Sequence, residues 1–204
     1  MRPRGNRRQE ILQAFALMLE THPGHRITTA ALAAQIGFSE AALYRHFPSK
    51  AKMLEGLIEF VEDTLFSRIT RILAEQPSAP GRCHAILWLL LTFAERNPGL
   101  ARLLVGDALL GETERLRTRM RQLFDRLETQ FRLILRDWAI TQVPAPPMGS
   151  AAGANLLLAL AEGRIGQYVR SEFSALPSTG WEEQWRAVAI GVFGASAALD
   201  AKTT

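Results

Sequence analysis

The sequence predicts an all-α protein of about nine helices, a small three-helix head followed by a larger helical body. Apolar residues recur at steps of three and four almost throughout, and no alternating apolar and polar run argues for a strand. Clusters of Gly and Pro, "HPG", "QPSAPG", "NPG" and "LPSTG", cut that pattern into segments. Finally, residues 27–50, "ITTAALAAQIGFSEAALYRHFPSK", hold two short helical patterns separated only by Gly-Phe-Ser.

The elements follow in order. Ile11, Leu12, Phe15, Met18 and Leu19 make an apolar stripe that predicts a helix over 8–21, stopped by "HPG" at 22–24. Two short helices follow, over about 29–36 and 40–46. Ser49 is placed to cap a longer one over about 50–75. Helices are next expected over 82–96, about 100–110 and about 112–138. The longest has Leu116, Met120, Leu123, Leu127, Phe131, Ile134 and Trp138 on one face. "TQVPAPPMGS" at 141–150 reads as a linker, and two last helices are expected over 151–174 and 181–200.

Those two last helices, "AAGANLLLALAEGRIGQYV" and "WRAVAIGVFGASAAL", are apolar or small on nearly every face. A helix of that kind needs burial on more than one side. Pairing with a second copy of the chain meets this need, and predicts a homodimer built on a twofold four-helix interface. A central core helix within one protomer is the other solution.

Composition bounds what such a chain does. Of 204 residues, 48% are apolar and 22% charged, as in a globular protein with a sizeable core. The single cysteine, Cys83, allows no internal disulfide and fits a reducing cytoplasm. It is expected to be an inert small hydrophobe. No apolar run follows the basic first residues as a secretory signal requires. The charge-free stretch 187–199 would give only ~20 Å of helix against a ~30 Å membrane core. Enzyme chemistry finds no support either. His22, His25, His46 and His84 lack metal-ligand spacing, and no phosphate loop or nucleophile motif is present, so neither metal nor cofactor is expected.

The net charge of +4 is concentrated at one end. Residues 1–55 hold eight Lys and Arg against four Glu, whereas the remainder is balanced. A polyanionic partner for the first quarter of the chain follows.

The quoted stretch supplies the shape. Leu32 and Ile36 face inward from the first short helix, with Thr28 or Thr29 capping it, and Gly37 is suited to the left-handed turn that ends it. Ser39 caps the second helix, with Glu40 at its positive end. Ala42, Leu43 and Phe47 form its packing face, leaving Glu40, Ala41, Tyr44 and Arg45 outward, and Pro48 ends it after two turns. So short a helix exists only by docking on its neighbours. This is a helix-turn-helix, whose second helix enters the DNA major groove. Arg45 is the side chain able to grip a guanine edge. Tyr44, His46, Lys50, Thr28 and Thr29 offer donors to phosphates, and the leading arginines, including Arg7 and Arg8, are expected to form a flexible basic arm. Residues 1–50 are thus assigned as the DNA-binding domain and 51–204 as the regulatory and dimerisation domain.

The Thr-led helix, Gly-containing turn, Tyr-x-His-Phe helix and following Lys resemble the DNA-binding domain of the TetR family over residues 8–55. Further segments, "ERNPGL" and "VRSEF" among them, resemble a branch of that family devoted to nucleoid occlusion. That resemblance implies a nucleoid-associated dimer on palindromic duplex DNA that antagonises the tubulin-like division protein FtsZ. It also implies that the FtsZ tail docks near Phe60, Arg68, Leu89, Thr92, Arg96 and Asn97. Thr92 departs from the small residue expected there. The alternative is a TetR-type repressor that responds to a small molecule.

Overall fold

The structure, a computed structural model, describes residues 4–22, 27–143 and 145–195, with side chains from Arg7 onward. Among them are nine α-helices and no strand: α1 (Arg4–Thr21), α2 (Thr29–Gln35), α3 (Glu40–His46), α4 (Lys50–Glu75), α5 (Ala79–Arg96), α6 (Pro98–Leu104), α7 (Glu114–Ala139), α8 (Ser150–Arg170) and α9 (Trp181–Phe193). The all-α expectation holds. The chain forms two compact units, one of residues 1–63 with 97–121, the other of residues 64–96 with 122–204.

In the first unit α1, α2 and α3 pack on one another, and α6 returns to lie along α1. Ile11 and Phe15 of α1, Leu32 of α2, Leu43 of α3, Phe47, and Met53, Leu54 and Leu57 of α4 are all buried. Each such side chain removed from water contributes about 1.5–3 kcal/mol before ordering costs. The α1–α6 approach depends on Gly99, where a Cβ would run into the backbone carbonyl of Ala16. Arg102, buried on α6, closes the end of α1. Its Nη1 donates to the carbonyls of Leu19 (2.7 Å) and His22 (3.2 Å), while its Nε pairs with the Asp107 carboxylate. A helix end leaves orphan carbonyls, and here a buried guanidinium satisfies them.

In the second unit α5 is the central element. Cys83, Ile86, Leu87, Leu90, Leu91 and Ala94 are all buried on it, and α8 and α9 pack against it. Burial raises the Cys83 thiol far above its ordinary range, which leaves it unreactive as expected. Helices α8 and α9 each bury one face only. Leu157, Leu158, Ala161, Ile165 and Tyr168 are inside, but Leu156 on α8 and Ile190 on α9 stand 39% and 51% exposed.

Helix ends differ from expectation for identifiable reasons. Helix α5 starts earlier than expected because Ser78 Oγ accepts from the Gly81 N–H (3.1 Å) and Pro80 is tolerated in a first turn. Helix α6 stops at Leu104 because Gly106 takes a left-handed turn at φ +81. Helix α8 ends at Arg170, short of the expected 174. There Phe173 N–H reaches back to the Tyr168 carbonyl and Glu172 N–H to that of Val169, with both residues left-handed. This is a Schellman ending, sealed by the Tyr168–Phe173 ring contact at 5.2 Å. The last residues assigned to the final helix, 196–200, lie outside the described residues.

Candidate nucleic-acid interface and peptide groove

Local chemistry builds the helix-turn-helix. Thr28 Oγ1 accepts from the Ala31 N–H at the start of α2, and Ser39 Oγ accepts from the Ala42 N–H at the start of α3. Between them Gly37 sits at φ +69, and the Phe38 N–H bonds back to the Ala33 carbonyl. Leu32 and Ala33 are the buried residues of α2, while Ile36, now the C-cap, is half-buried. Leu43 and Phe47 anchor α3 from behind.

The outward side of this pair is polar and tied together. Thr29 Oγ1 donates to the Glu40 carboxylate (3.1 Å) and lies 3.0 Å from the Tyr44 hydroxyl. Glu40, Ala41, Tyr44 and Arg45 are all exposed. Arg45 has no hydrogen bond or ion pair among the described residues, so its guanidinium edge is available. His46 is half-buried, and its carbonyl ends α3.

Two basic residues sit differently from expectation. Arg7 and Arg8 belong to α1, which starts at Arg4, and form no flexible arm; Arg2 lies outside the described residues. Arg7 pairs with Glu10 and lies over the Phe38 ring, while Arg8 donates to the His46 carbonyl (2.8 Å) and covers the Phe47 ring. Arg8 braces the end of α3, because a cation at a helix C-terminus meets its negative end, while Arg7 packs on the turn before it. Lys50 is the other case. Its ammonium is 2.8 Å from the Glu112 carboxylate, so a phosphate would have to compete with that pair.

The second unit carries a groove of about 560 Å³ between α4 and α5. Arg68, Arg71, Ile72 and Glu75 line one wall; His84, Trp88, Leu89, Thr92 and Arg96 line the other. Four of the residues implied by resemblance, Arg68, Leu89, Thr92 and Arg96, therefore share one concavity. Leu89 is buried in its floor, and the Thr92 hydroxyl donates to the Trp88 carbonyl (2.7 Å), so it presents mainly its methyl group. Phe60, 49% exposed on α4, and Asn97, the N-cap of α6, belong to the first unit. Sequence reasoning missed Arg71, His84 and Trp88. An exposed indole four positions before Thr92 and eight before Arg96 was the available signal, a polar-edged stripe on an otherwise apolar helix. His84 is held in place by the Trp181 Nε1–H, which donates to its Nε2 (3.0 Å).

A capped, braced helix-turn-helix near the N-terminus of an otherwise helical chain defines a TetR-type DNA-binding regulator. Residues 11–57 match the family described as bacterial regulatory proteins of the tetR family, and residues 78–190 match the SlmA-like domain described as tetracyclin repressor-like, C-terminal. The nucleoid occlusion factor SlmA of Idiomarina loihiensis is 60% identical, over 89% of this chain and 92% of the relative. That of Colwellia psychrerythraea is 57% identical, over 89% and 91%. The chain belongs to the SlmA family of nucleoid occlusion factors. More distant solved structures share the fold. The fatty acid degradation regulator FadR from Bacillus halodurans has a TM-score of 0.77 at 12% identity, covering 92% of this chain and 96% of that one. The MbdR regulator from Azoarcus sp. CIB has 0.76 at 18%, covering 91% and 98%.

Among the described residues no helix is long and apolar enough to cross a membrane, and no group of His, Cys, Asp and Glu is arranged to hold a metal ion.

Proposed function

We propose that this protein binds palindromic duplex DNA on the nucleoid as a homodimer and, while bound, restrains FtsZ assembly so that no septum closes over the chromosome. The outer face of α3 carries this reading. It is exposed and bears an unengaged Arg45, and the Thr29 and Arg8 contacts hold the helix from both ends. Such a helix reads bases through Arg45, while Thr28, Thr29, Ser39, Tyr44, His46 and Lys50 contact the backbone. Ala41 leaves room beside Arg45 for a groove wall. Arg7 and Arg8 add positive charge behind the reading helix. On this reading DNA recognition belongs to residues 1–50, and regulation and pairing to residues 51–204.

The groove between α4 and α5 fits the second role. Arginines at its rim and Leu89 and Trp88 within it suit an extended peptide that is acidic at some positions and apolar at others. The tail of FtsZ is the occupant we assign, with Arg68, Leu89, Thr92 and Arg96 as its contacts. Homology to nucleoid occlusion factors over nine-tenths of the chain supports that choice. The protomers pair through the exposed faces of α8 and α9.

Sedimentation of FtsZ polymers tests the reading directly. Addition of the protein with a palindrome-bearing duplex is expected to reduce the pelleted fraction, and Arg96→Glu to abolish the effect without loss of DNA binding. Polymer mass unchanged with and without duplex would overturn it.

A further inference from the structure

The second unit contains a charged site that DNA and peptide binding leave unused. Arg164, on α8, is only 8% exposed. Its Nε donates to the Pro177 carbonyl (2.6 Å), its Nη1 to the Gln184 side-chain oxygen and its Nη2 to the Thr179 carbonyl. All three acceptors are neutral. No carboxylate pairs with it among the described residues, and the nearest aromatic partner, the Trp181 ring, is 6.0 Å away. The other buried cation among the described residues, Arg102, differs in this respect, as do the half-buried Arg119 and Lys50. Arg102 has Asp107, Arg119 has Glu62, and Lys50 has Glu112. A buried charge is ordinarily paired, and an unpaired one favours any anion that can reach it. Loss of water around this guanidinium pulls its pKa below the ordinary arginine value, the expected mark of a cation without a counter-charge.

An anion can reach it. A pocket of about 320 Å³ opens beside Arg164, lined by Gln167, Ser174, Leu176, Thr179 and Gln184. That volume sits at the lower end of small-molecule sites. Each terminal nitrogen of the guanidinium carries one N–H beyond those already bonded, and a planar carboxylate takes two such donors. The loop forming the far wall is held independently, since Glu95 accepts from both the N–H and the hydroxyl of Ser178. Glu95 is thereby committed to the loop.

We propose that this pocket binds a small organic carboxylate, with Arg164 as its counter-ion and the Gln167 and Gln184 amides as flanking polar groups.

Thermal unfolding and tryptophan emission of the full chain, titrated with acetate and succinate at constant ionic strength set by chloride, test this. A saturable rise of a few degrees in Tm and a matching emission change are expected. Because Arg164 also holds the loop, the variant of choice is Gln167→Glu, one helical turn away on the pocket wall. It supplies the missing carboxylate within the chain, so it should raise Tm by itself and abolish the response to added carboxylate. A response linear in concentration, or the same in Gln167→Glu, would mean general salt effects and overturn the proposal. A saturable response to inorganic phosphate but not to carboxylates would overturn the ligand class. A Tm that ignores carboxylate altogether would also overturn it. None of these readouts involves DNA or FtsZ, so the outcome is independent of the function proposed above.

Discussion

Arg45 and Lys50 are both proposed to meet DNA, but their surroundings give them different work. Arg45 is unengaged, so Arg45→Ala should relax preference among DNA sequences by about 1–3 kcal/mol while leaving non-specific binding nearly intact, as competition assays would show. Lys50 starts from an ion pair with Glu112, which a phosphate must displace. Glu112→Gln is therefore expected to tighten binding to all duplexes alike and to steepen its salt dependence, measurable by fluorescence anisotropy across a salt series. Glu55 shows the opposite use of charge. Its hydrogen bond from Lys52, together with the Arg115 charge, holds its carboxyl below the ordinary value despite some desolvation. A carboxyl depressed on folding adds stability above its unfolded pKa and loses it as pH falls through the folded value. Glu55→Gln should thus lower Tm at neutral pH and flatten its decline in acid.

Helix α6 is the element on which the first unit most depends. Gly99→Ala would force its Cβ against the Ala16 carbonyl, which belongs to backbone and cannot swing away. A loss of at least ~2 kcal/mol is expected, read by chemical denaturation. Local sequence foretold most helices, a cap at Thr28 or Thr29, the cap at Ser39 and the turn at Gly37, because each is written in neighbouring residues. It could not foretell that "NPG" serves both as a helix start and as a close-contact surface for α1, since Gly99 and Ala16 meet only in the fold. The Schellman ending of α8 was hidden for a different reason. Glycine usually marks a left-handed turn, but here Glu172 and Phe173 adopt it, supported by a ring contact with Tyr168 that no local rule displays. Arg7 and Arg8 were legible as charge but not as bracing, because their partners Phe38, Phe47 and the His46 carbonyl are distant in sequence.

For the molecule as an assembly, the exposed faces of α8 and α9 are where we place the second protomer. Ile190→Glu places charge in the middle of the proposed twofold contact. It should shift sedimentation velocity toward the monomer and weaken binding to a palindrome at least about tenfold, ~1.4 kcal/mol, with little change for a single half-site. The periodicity of those two helices announced that something must cover them, while the groove between α4 and α5 needed coordinates, because its walls come from two helices. The bracing of α3 has a further, evolutionary meaning. Its support comes from Thr29, Arg8, Leu43 and Phe47, none of which occupies the positions beside Arg45 that face outward. Exchanges at Ala41 and Arg45 should therefore fall among surface changes that shift folding by no more than ~0.5 kcal/mol. A lineage built on this scaffold can retarget itself to new operators one amino acid at a time, without passing through an unfolded ancestor.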